Sequence, residues 1–187
     1  MTNMFTDMQI GNYKLINFEI TPENRGFRSM TPYGKYVRIT NCGEVVMSNT
    51  EMEEDTNREI VQKAHGDVLI AGLGIGMIIL AIQDKAEVRT ITVIEKSAEI
   101  IDMVIHQLPL NHKVEVIEED IFTWEPEKGF KYDTIYFDIW NYINSDIYEE
   151  MKELKKMYRK RQVSKQDNPN RFMACWAEHE AKNNLRL

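Results

Sequence analysis

The sequence predicts an α/β fold built on a doubly wound, mostly parallel sheet. From Gly66 onward, short apolar runs alternate with helical segments, and the first of these runs ends in closely spaced glycines. Strands that alternate with helices form right-handed βαβ units, and their sheet is buried on both faces. The chain of 187 residues is 43% hydrophobic and carries a net charge of −7. It is therefore long enough for one domain with its own core.

The N-terminal part has a different pattern. Residues 13–20 favour a strand, whereas residues 21–32 contain two prolines and a glycine and favour a loop. Two further β-rich runs flank Asn41-Cys42-Gly43-Glu44, which predicts a β-hairpin. Acidic residues crowd the following segment and favour the start of a helix. We therefore expect one compact unit, divided into a β-rich extension over residues 1–50 and an α/β domain over residues 51–187.

Four apolar runs predict the strands of the main sheet, at residues 67–71, 90–94, 113–117 and 132–137. Helices are predicted at residues 77–83 and 97–108. After Trp140 two helices are expected in place of the last strands. The first is indicated by apolar residues four, three and four apart, behind a cap at Ser145 or Asp146: Ile147, Met151, Leu154 and Tyr158. The second is indicated by Asn168 as cap and Pro169 in the first turn, with Phe172 and Trp176 on one side.

Composition disfavours several functional classes. A sequence pI of about 5.2 is unusual for a protein that wraps nucleic acid, because such binding neutralises phosphates with cations. Cys42 and Cys175 stand far apart, so the sequence predicts neither a disulfide framework nor a metal site. The N-terminus lacks the pattern of a signal peptide, and the apolar run at residues 68–82 is short of the roughly 20 residues that span a bilayer. These features indicate a cytoplasmic protein that is not inserted in a membrane.

The glycine run is the strongest functional signal. Gly72, Gly74 and Gly76 lie where an apolar strand ends and a helix begins. Glycines there let the chain turn tightly and let a ligand approach the backbone, and free amides attract electron-rich groups. Glu95 closes the next strand, where a carboxylate can accept hydrogen bonds from both ribose hydroxyls. Together these features predict a nucleotide site; the alternative is a glycine-lined turn with a solvated Glu95.

The glycine spacing distinguishes two cofactors. The nicotinamide fingerprint is Gly-x-Gly-x-x-Gly, but Met77 occupies the place of its third glycine. Gly-x-Gly-x-Gly resembles the S-adenosylmethionine loop of the class I methyltransferases, which have a Rossmann-like fold. In that family an acid after the third strand, here Asp120, accepts a hydrogen bond from the adenine amino group. The alternative is that Asp120 is only one of several solvated charges in an acidic loop. The resemblance implies these cofactor-binding residues: Gly72, Leu73, Gly74, Gly76, Glu95, Asp120, Ile121 and Asp138.

Within that superfamily, residues 43–142 resemble the spermidine synthases, which are aminopropyltransferases, in a C-terminally truncated form. Glu54 and Glu59 fall on two of their glutamates, and Ile70 matches an apolar position before their glycine loop. This sequence departs from the pattern of the spermidine synthases at three places. Met47 stands where they have a glutamine, and Asn57 and Arg58 stand where they have a Tyr-His pair. Asn141 stands where they have the second acid of Asp-x-x-Asp.

Those departures disfavour aminopropyl transfer. A neutral amide at Asn141 cannot take the proton of an attacking ammonium, and Arg58 near the pocket would repel a polyamine. Glu54 or Asp138 could still replace the missing base. Methyl transfer requires mainly that the enzyme hold the acceptor, the methyl group and the sulfur in line.

The residues expected around the reaction are few. Asp138 and Asn141 are the candidate catalytic residues, since either could orient an acceptor amine. Glu54 and Trp140 are expected on the substrate side, with Trp140 facing the sulfonium or anchoring the core. The sequence thus predicts an S-adenosylmethionine-binding methyltransferase of unknown acceptor. The alternatives are an inactive adenosyl-nucleotide-binding or inhibitory module, an aminopropyltransferase, or an S-adenosylmethionine-cleaving variant.

A basic segment follows the predicted site. Seven cations lie between Lys152 and Lys165, against the single acid Glu153. This segment could bind nucleic acid, a phosphorylated substrate or an acidic partner; the alternative is the solvated face of a helix. The N-terminal hairpin could also pair across a homodimer, as in the related synthases.

Overall fold

A computed structural model describes residues 4–26 and 30–185 of the chain. Its N-terminal part is an antiparallel sheet of four strands in sequential order: β1 (Met8–Ile10), β2 (Tyr13–Ile20), β3 (Gly34–Asn41) and β4 (Glu44–Ser48). The predicted hairpin is confirmed as β3–β4, and its turn residues Cys42 and Gly43 both have positive φ, as a two-residue hairpin turn requires. The hairpin is therefore one half of a larger sheet.

The second sheet has five strands: β5 (Gly66–Ala71), β6 (Val88–Glu95), β7 (Val114–Glu118), β8 (Thr134–Phe137) and β9 (Phe172–Cys175). Their order is β7-β6-β5-β8-β9, and every pair is parallel. This confirms the predicted α/β fold with a doubly wound parallel sheet. From β5 the chain first adds β6 and β7 on one side, and it then returns to add β8 and β9 on the other side. The strand order therefore reverses between β5 and β8.

Six helices accompany the sheets in the described residues: α1 (Glu51–Thr56), α2 (Arg58–Lys63), α3 (Met77–Ile82), α4 (Ala98–Val104), α5 (Ser145–Tyr158) and α6 (Glu178–Asn183). The predicted apolar face of α5 is confirmed, since all four of its residues are buried. Its N-cap is Asn144, whose side chain accepts from the Ile147 amide at 2.9 Å, so the expectation of a cap at Ser145 or Asp146 was wrong by one or two residues. None of the described helices is long and apolar enough to cross a membrane.

The predicted helix from Asn168 was wrong. Phe172–Cys175 is a strand, β9, which pairs with β8 in the register Thr134↔Phe172. Asn168 does not cap a helix there; its amide donates to Asp133 at 2.7 Å. Four residues are too few to show a strand period, so pairing with β8 overrides the local signals that favoured a helix. The last strands are therefore replaced by helices only in part, and α6 begins after β9.

The amino ends of the parallel strands are held by Asp133. Its carboxylate accepts from the Asp67 amide at 3.0 Å, from Asn168 and from the Arg89 guanidinium at 2.6 Å. Gly66 passes so close that a Cβ there would lie 2.0 Å from Asp133 Oδ2. Hydrogen bonds thus close this end of the sheet.

Candidate ligand-binding site

The carboxyl ends of the parallel strands open into a cavity of about 770 Å³. The segments that follow β5, β6, β7, β8 and β9 all contribute to its wall, and Val45–Ser48 of the antiparallel sheet cover it. The cavity lies beside the reversal of strand order, which is where open α/β sheets bind ligands. Its volume falls within the roughly 300–1,000 Å³ of small-molecule sites. The fold therefore provides a preformed cavity at this edge of the sheet.

The glycine loop lies between two walls of this cavity. A Cβ at Gly72, where φ is 98°, would lie 2.0 Å from the backbone oxygen of Asp138 at the end of β8. A Cβ at Gly74, where φ is 50°, would lie 3.1 Å from the Met47 side chain of β4. Both positions combine a left-handed backbone with a close approach, so the loop needs glycine there. Gly76 forms the N-cap of α3.

Glu95 is buried and lines the cavity, so the alternative of a solvated carboxylate was wrong. Its Oε2 accepts from the Leu73 amide at 2.9 Å, and its Oε1 accepts from the Ser97 amide at 2.8 Å. The carboxylate thus joins the glycine loop to the segment that begins α4. Each carboxylate oxygen has a second lone pair, so Glu95 can still accept from a ligand.

Asp120 lines the same cavity on the β7 side. Its Oδ1 accepts from the Phe122 amide at 3.0 Å, and its Oδ2 accepts from Lys96 at 2.7 Å. The bond from Lys96 is the main reason why the pKa of Asp120 lies below its ordinary value. Ile121 is buried beside it, and its carbonyl accepts from Tyr158 at 2.8 Å. Asp120 is therefore held in a fixed position within its acidic loop.

Asp138 and Glu53 form a pair of interacting carboxyl groups in the cavity wall. Burial, with a contribution from Glu53, raises the pKa of Asp138 to about 8. Burial also raises the pKa of Glu53 to about 7, although the Ser48 amide opposes the shift. Within the described residues, no side-chain hydrogen bond holds the Asp138 carboxyl group. The pair therefore holds protons near neutral pH that ordinary carboxyl groups would have lost.

Glu53 was missed from the sequence, where Glu54 was expected instead. Glu54 is exposed and lies outside the cavity, because one residue along a helix turns the side chain by about 100°. The signal that identifies the inner face was present: Glu53, Asn57 and Ile60 are four and three residues apart, and all three are buried.

Two further charges of this segment also point away from the cavity. Arg58 is exposed and pairs with Asp55, and Glu59 is exposed and pairs with Lys63. The expectation that Arg58 lies near the pocket was wrong. Its charge therefore gives no reason to exclude a cationic substrate.

Two tryptophans line the cavity. Trp140 is buried in the core and also contacts the cavity, and its indole N–H donates to Glu150. Trp176 follows β9, and its indole N–H donates to Thr56 at 3.1 Å. The sequence does not indicate Trp176 as a site residue, because the signals in its segment favour a helix. Asn141 is exposed at the cavity mouth.

The basic segment does not reach the cavity. None of its cations lines the wall within the described residues. Lys155 pairs with Glu178, Lys152 with Glu149 and Arg161 with Glu125. Within residues 4–26 and 30–185, no group of three or more His, Cys, Asp or Glu side chains could hold a metal ion.

No protein-family model matches this sequence, and no curated protein matches it. Solved structures do match. The plantazolicin methyltransferase BpumL, in complex with SAH, is 21% identical over 59% of this chain and 41% of its own, with a TM-score of 0.43. Protein arginine methyltransferase 10 of Arabidopsis thaliana is 22% identical over 60% of this chain and 32% of its own, with a TM-score of 0.44.

The N-methyltransferase NodS of Bradyrhizobium japonicum WM9, in complex with S-adenosyl-L-homocysteine, is 13% identical over 60% of this chain and 56% of its own, with a TM-score of 0.44. This chain spans about two fifths of the length of BpumL and about one third of the length of the arginine methyltransferase. All three similar structures bear the name of a methyltransferase.

Proposed function

We propose that this protein binds S-adenosylmethionine and transfers its methyl group to an acceptor. One observation carries the proposal: the Glu95 carboxylate is bonded to Leu73 of the glycine loop and faces the same cavity as Asp120 and Asp138. A glycine loop and an acid at the end of the next strand are the parts that hold the ribose of an adenosyl ligand. The 770 Å³ cavity beside them provides the space for it.

Each wall residue then has a role. Gly72, Leu73, Gly74 and Gly76 bring the backbone close to the ligand, and Glu95 accepts from the ribose hydroxyls with its free lone pairs. Asp120, which is already fixed by Lys96, accepts from the adenine amino group, and Ile121 packs against the ring. Gly72, Gly74, Glu95, Asp120 and Ile121 line the cavity, whereas Leu73 and Gly76 belong to the glycine loop without lining it.

The reaction needs orientation and a proton acceptor. The bound sulfonium supplies an electrophilic methyl carbon. Asp138 follows β8 and shares the cavity with the glycine loop, so its carboxyl group can orient the acceptor and take its proton. Glu53 assists by sharing the charge of the pair. Asn141 and Trp140 complete the acceptor side.

Aminopropyl transfer is the second candidate, through the resemblance to the spermidine synthases. The position of Arg58 favours it, because that cation pairs with Asp55 outside the cavity and would not repel a polyamine. The amide at Asn141 opposes it, since it cannot act as a base. The Asp138–Glu53 pair could supply the base in either reaction.

Calorimetric titration tests the shared step. We expect S-adenosylmethionine and S-adenosylhomocysteine to bind, and NAD to bind more weakly or not at all. Mass spectrometry of the cosubstrate after incubation with a cell extract then separates the reactions. S-adenosylhomocysteine indicates methyl transfer, methylthioadenosine indicates aminopropyl transfer or cleavage, and an unchanged ligand indicates a binding module. Failure of both adenosyl ligands to bind overturns the proposal.

A further inference from the structure

We propose that the acceptor is an amphiphilic amine, whose ammonium group is held by Glu53 and Asp138 and whose apolar body lies on the rim of the cavity. This inference rests on the proposed function, because it assigns the substrate class of the same site. Three features of the cavity support it: the charge of its interior, its tryptophan walls and the apolar residues at its mouth.

The interior of the cavity is strongly acidic. One cation lines it within the described residues, Lys96, and that side chain is bonded to Asp120. Among the described residues, no side-chain hydrogen bond holds the Asp138 carboxyl group, and the Glu53 side chain that interacts with it is more than nine-tenths buried. Six acidic residues line the wall; Glu53 and Glu95 are buried, Asp120 and Asp138 are half-buried, and Glu119 and Glu150 are exposed. Buried carboxylates without a counter-charge are unfavourable, so a ligand that brings a positive charge is stabilised there.

The tryptophans of the cavity wall, Trp140 and Trp176, also favour a positively charged ligand. The indole N–H groups of Trp140 and Trp176 are already bonded to Glu150 and Thr56, so they are not available to hydrogen-bond a ligand. Both residues line the cavity through the small part of their surface that is exposed, and aromatic rings attract cations and pack against methyl groups. A protonated or methylated amine has both properties.

The mouth of the cavity carries a group of exposed apolar residues beside polar ones such as Asn141. Five large hydrophobic residues that line it are between 37% and 60% exposed: Val45, Met52, Ile139, Tyr142 and Leu185. Soluble proteins rarely leave such a group of apolar residues uncovered without a binding role. A polyamine is charged along its length and would place charge on this rim. An alkyl or aryl amine would place its ammonium inside and its apolar body on the rim.

The chemistry balances with these residues alone. The bound ammonium gives one proton to the Glu53–Asp138 pair, which leaves a neutral amine with a free lone pair. The lone pair attacks the methyl carbon, so the new C–N bond forms as the C–S bond breaks and its electron pair returns to sulfur. The products are the methylated ammonium and a neutral thioether. The proton on the pair passes to solvent after the product leaves.

Matched small molecules test the proposal. The protein is saturated with S-adenosylhomocysteine and titrated with hexylamine, 1-hexanol and putrescine. We expect hexylamine to bind at least tenfold more tightly than either of the others. Its affinity should rise about threefold to fourfold for each further methylene, as burial of an alkyl chain requires. With S-adenosylmethionine, mass spectrometry should detect N-methylhexylamine.

Substitutions in the protein separate the two parts of the site. Glu53→Gln should weaken the binding of hexylamine at least tenfold and leave the affinity for S-adenosylhomocysteine unchanged. Glu51→Gln, on the exposed face of the same helix, is the control and should change neither affinity. The double variant Met52→Ser and Tyr142→Ser should remove the preference for longer chains but keep binding of methylamine. Circular dichroism verifies folding, and Asp138→Asn provides a second test of the carboxyl pair.

Each other outcome has a definite meaning. Equal binding of hexanol and hexylamine overturns the ammonium site, and tighter binding of putrescine overturns the amphiphilic acceptor. If none of the three binds to the saturated protein, the proposal fails while the adenosyl site stands. If S-adenosylhomocysteine itself does not bind, the proposed function fails, and titration of the unliganded protein with hexylamine still tests the ammonium site.

Discussion

The Glu95 carboxylate accepts a hydrogen bond from the Leu73 amide at 2.9 Å, so an acid that lines the cavity also fixes the glycine loop. Its other oxygen binds the Ser97 amide. Under the proposed function, recognition of the adenosyl ligand and the shape of the loop therefore depend on one side chain.

Glu95→Gln should impair both properties. A glutamine has one acceptor oxygen, so its NH₂ group would face either the Leu73 or the Ser97 amide, and one amide would lose its partner. We expect a loss of about 1–3 kcal/mol in the free energy of unfolding, measured in urea. We also expect at least a tenfold loss of S-adenosylhomocysteine affinity. Glu118→Gln is the control, because Glu118 is the register neighbour of Glu95 but is exposed and lies outside the cavity. Unchanged affinity in Glu95→Gln would remove Glu95 from the site.

Gly72→Ala should destabilise the fold more than its backbone angle alone explains. A left-handed residue other than glycine costs about 1–2 kcal/mol. At Gly72 the new Cβ would also meet the Asp138 backbone oxygen at 2.0 Å, which only a shift of the end of β8 can relieve. Gly129→Ala is the matched control, because its φ is 90° and nothing lies within 4 Å of the new Cβ. Equal losses in urea unfolding would contradict the close approach.

The Glu53–Asp138 pair should make the unliganded protein less stable as the pH rises from about 4 to about 8. Burial raises the pKa of Glu53 from 4.5 to about 7 and that of Asp138 from 3.8 to about 8. In this range the native state holds protons that the unfolded chain has released. Each group therefore lowers the free energy of unfolding by at most about 1.4 kcal/mol per pH unit.

Urea unfolding between pH 5 and pH 8 measures this slope. Glu53→Gln should flatten it, because the substitution removes one titrating group and one charge that raises the pKa of Asp138. A slope that is the same in both proteins would show that the pair does not titrate as described.

Asp133→Ala should destabilise the protein without changing ligand affinity. The Asp133 carboxylate is buried and accepts from Asp67, Asn168 and Arg89 at the amino end of the sheet. Its loss leaves the half-buried Asp67 amide and Asn168 side chain without this acceptor, so we expect the free energy of unfolding in urea to fall by about 2–4 kcal/mol. Arg89→Met should lose less than about 1 kcal/mol, because the Arg89 side chain is 62% exposed. A larger loss in Arg89→Met than in Asp133→Ala would contradict this order.

Local signals were sufficient for most of the fold. Short apolar-rich runs predicted β5, β6, β7 and β8, and the glycines and Glu95 predicted the candidate site at their carboxyl ends. The β3–β4 hairpin followed from its turn. These elements are specified by residues close together in sequence.

The remaining elements depend on distant contacts. β9 has four residues and is defined by its pairing with β8, whose paired residues lie 38 positions earlier (Thr134↔Phe172), so no local period reveals it. Trp176 entered the site only because β9 brings it there. Glu53 and Glu54 are equally acidic, and only the helical phase with Asn57 and Ile60 decides which of them faces inward.

The wall of the cavity has a consequence for fragments of this protein. Met47 comes from the antiparallel sheet, the glycine loop from the middle of the chain, and Trp176 from the segment after β9. A fragment that lacks the first fifty residues, or one that stops before β9, would lose a complete side of the binding site even if its remaining strands paired correctly. Ligand binding therefore reports the assembly of the whole described chain, and a ligand added during refolding should favour the complete fold over any partly folded form.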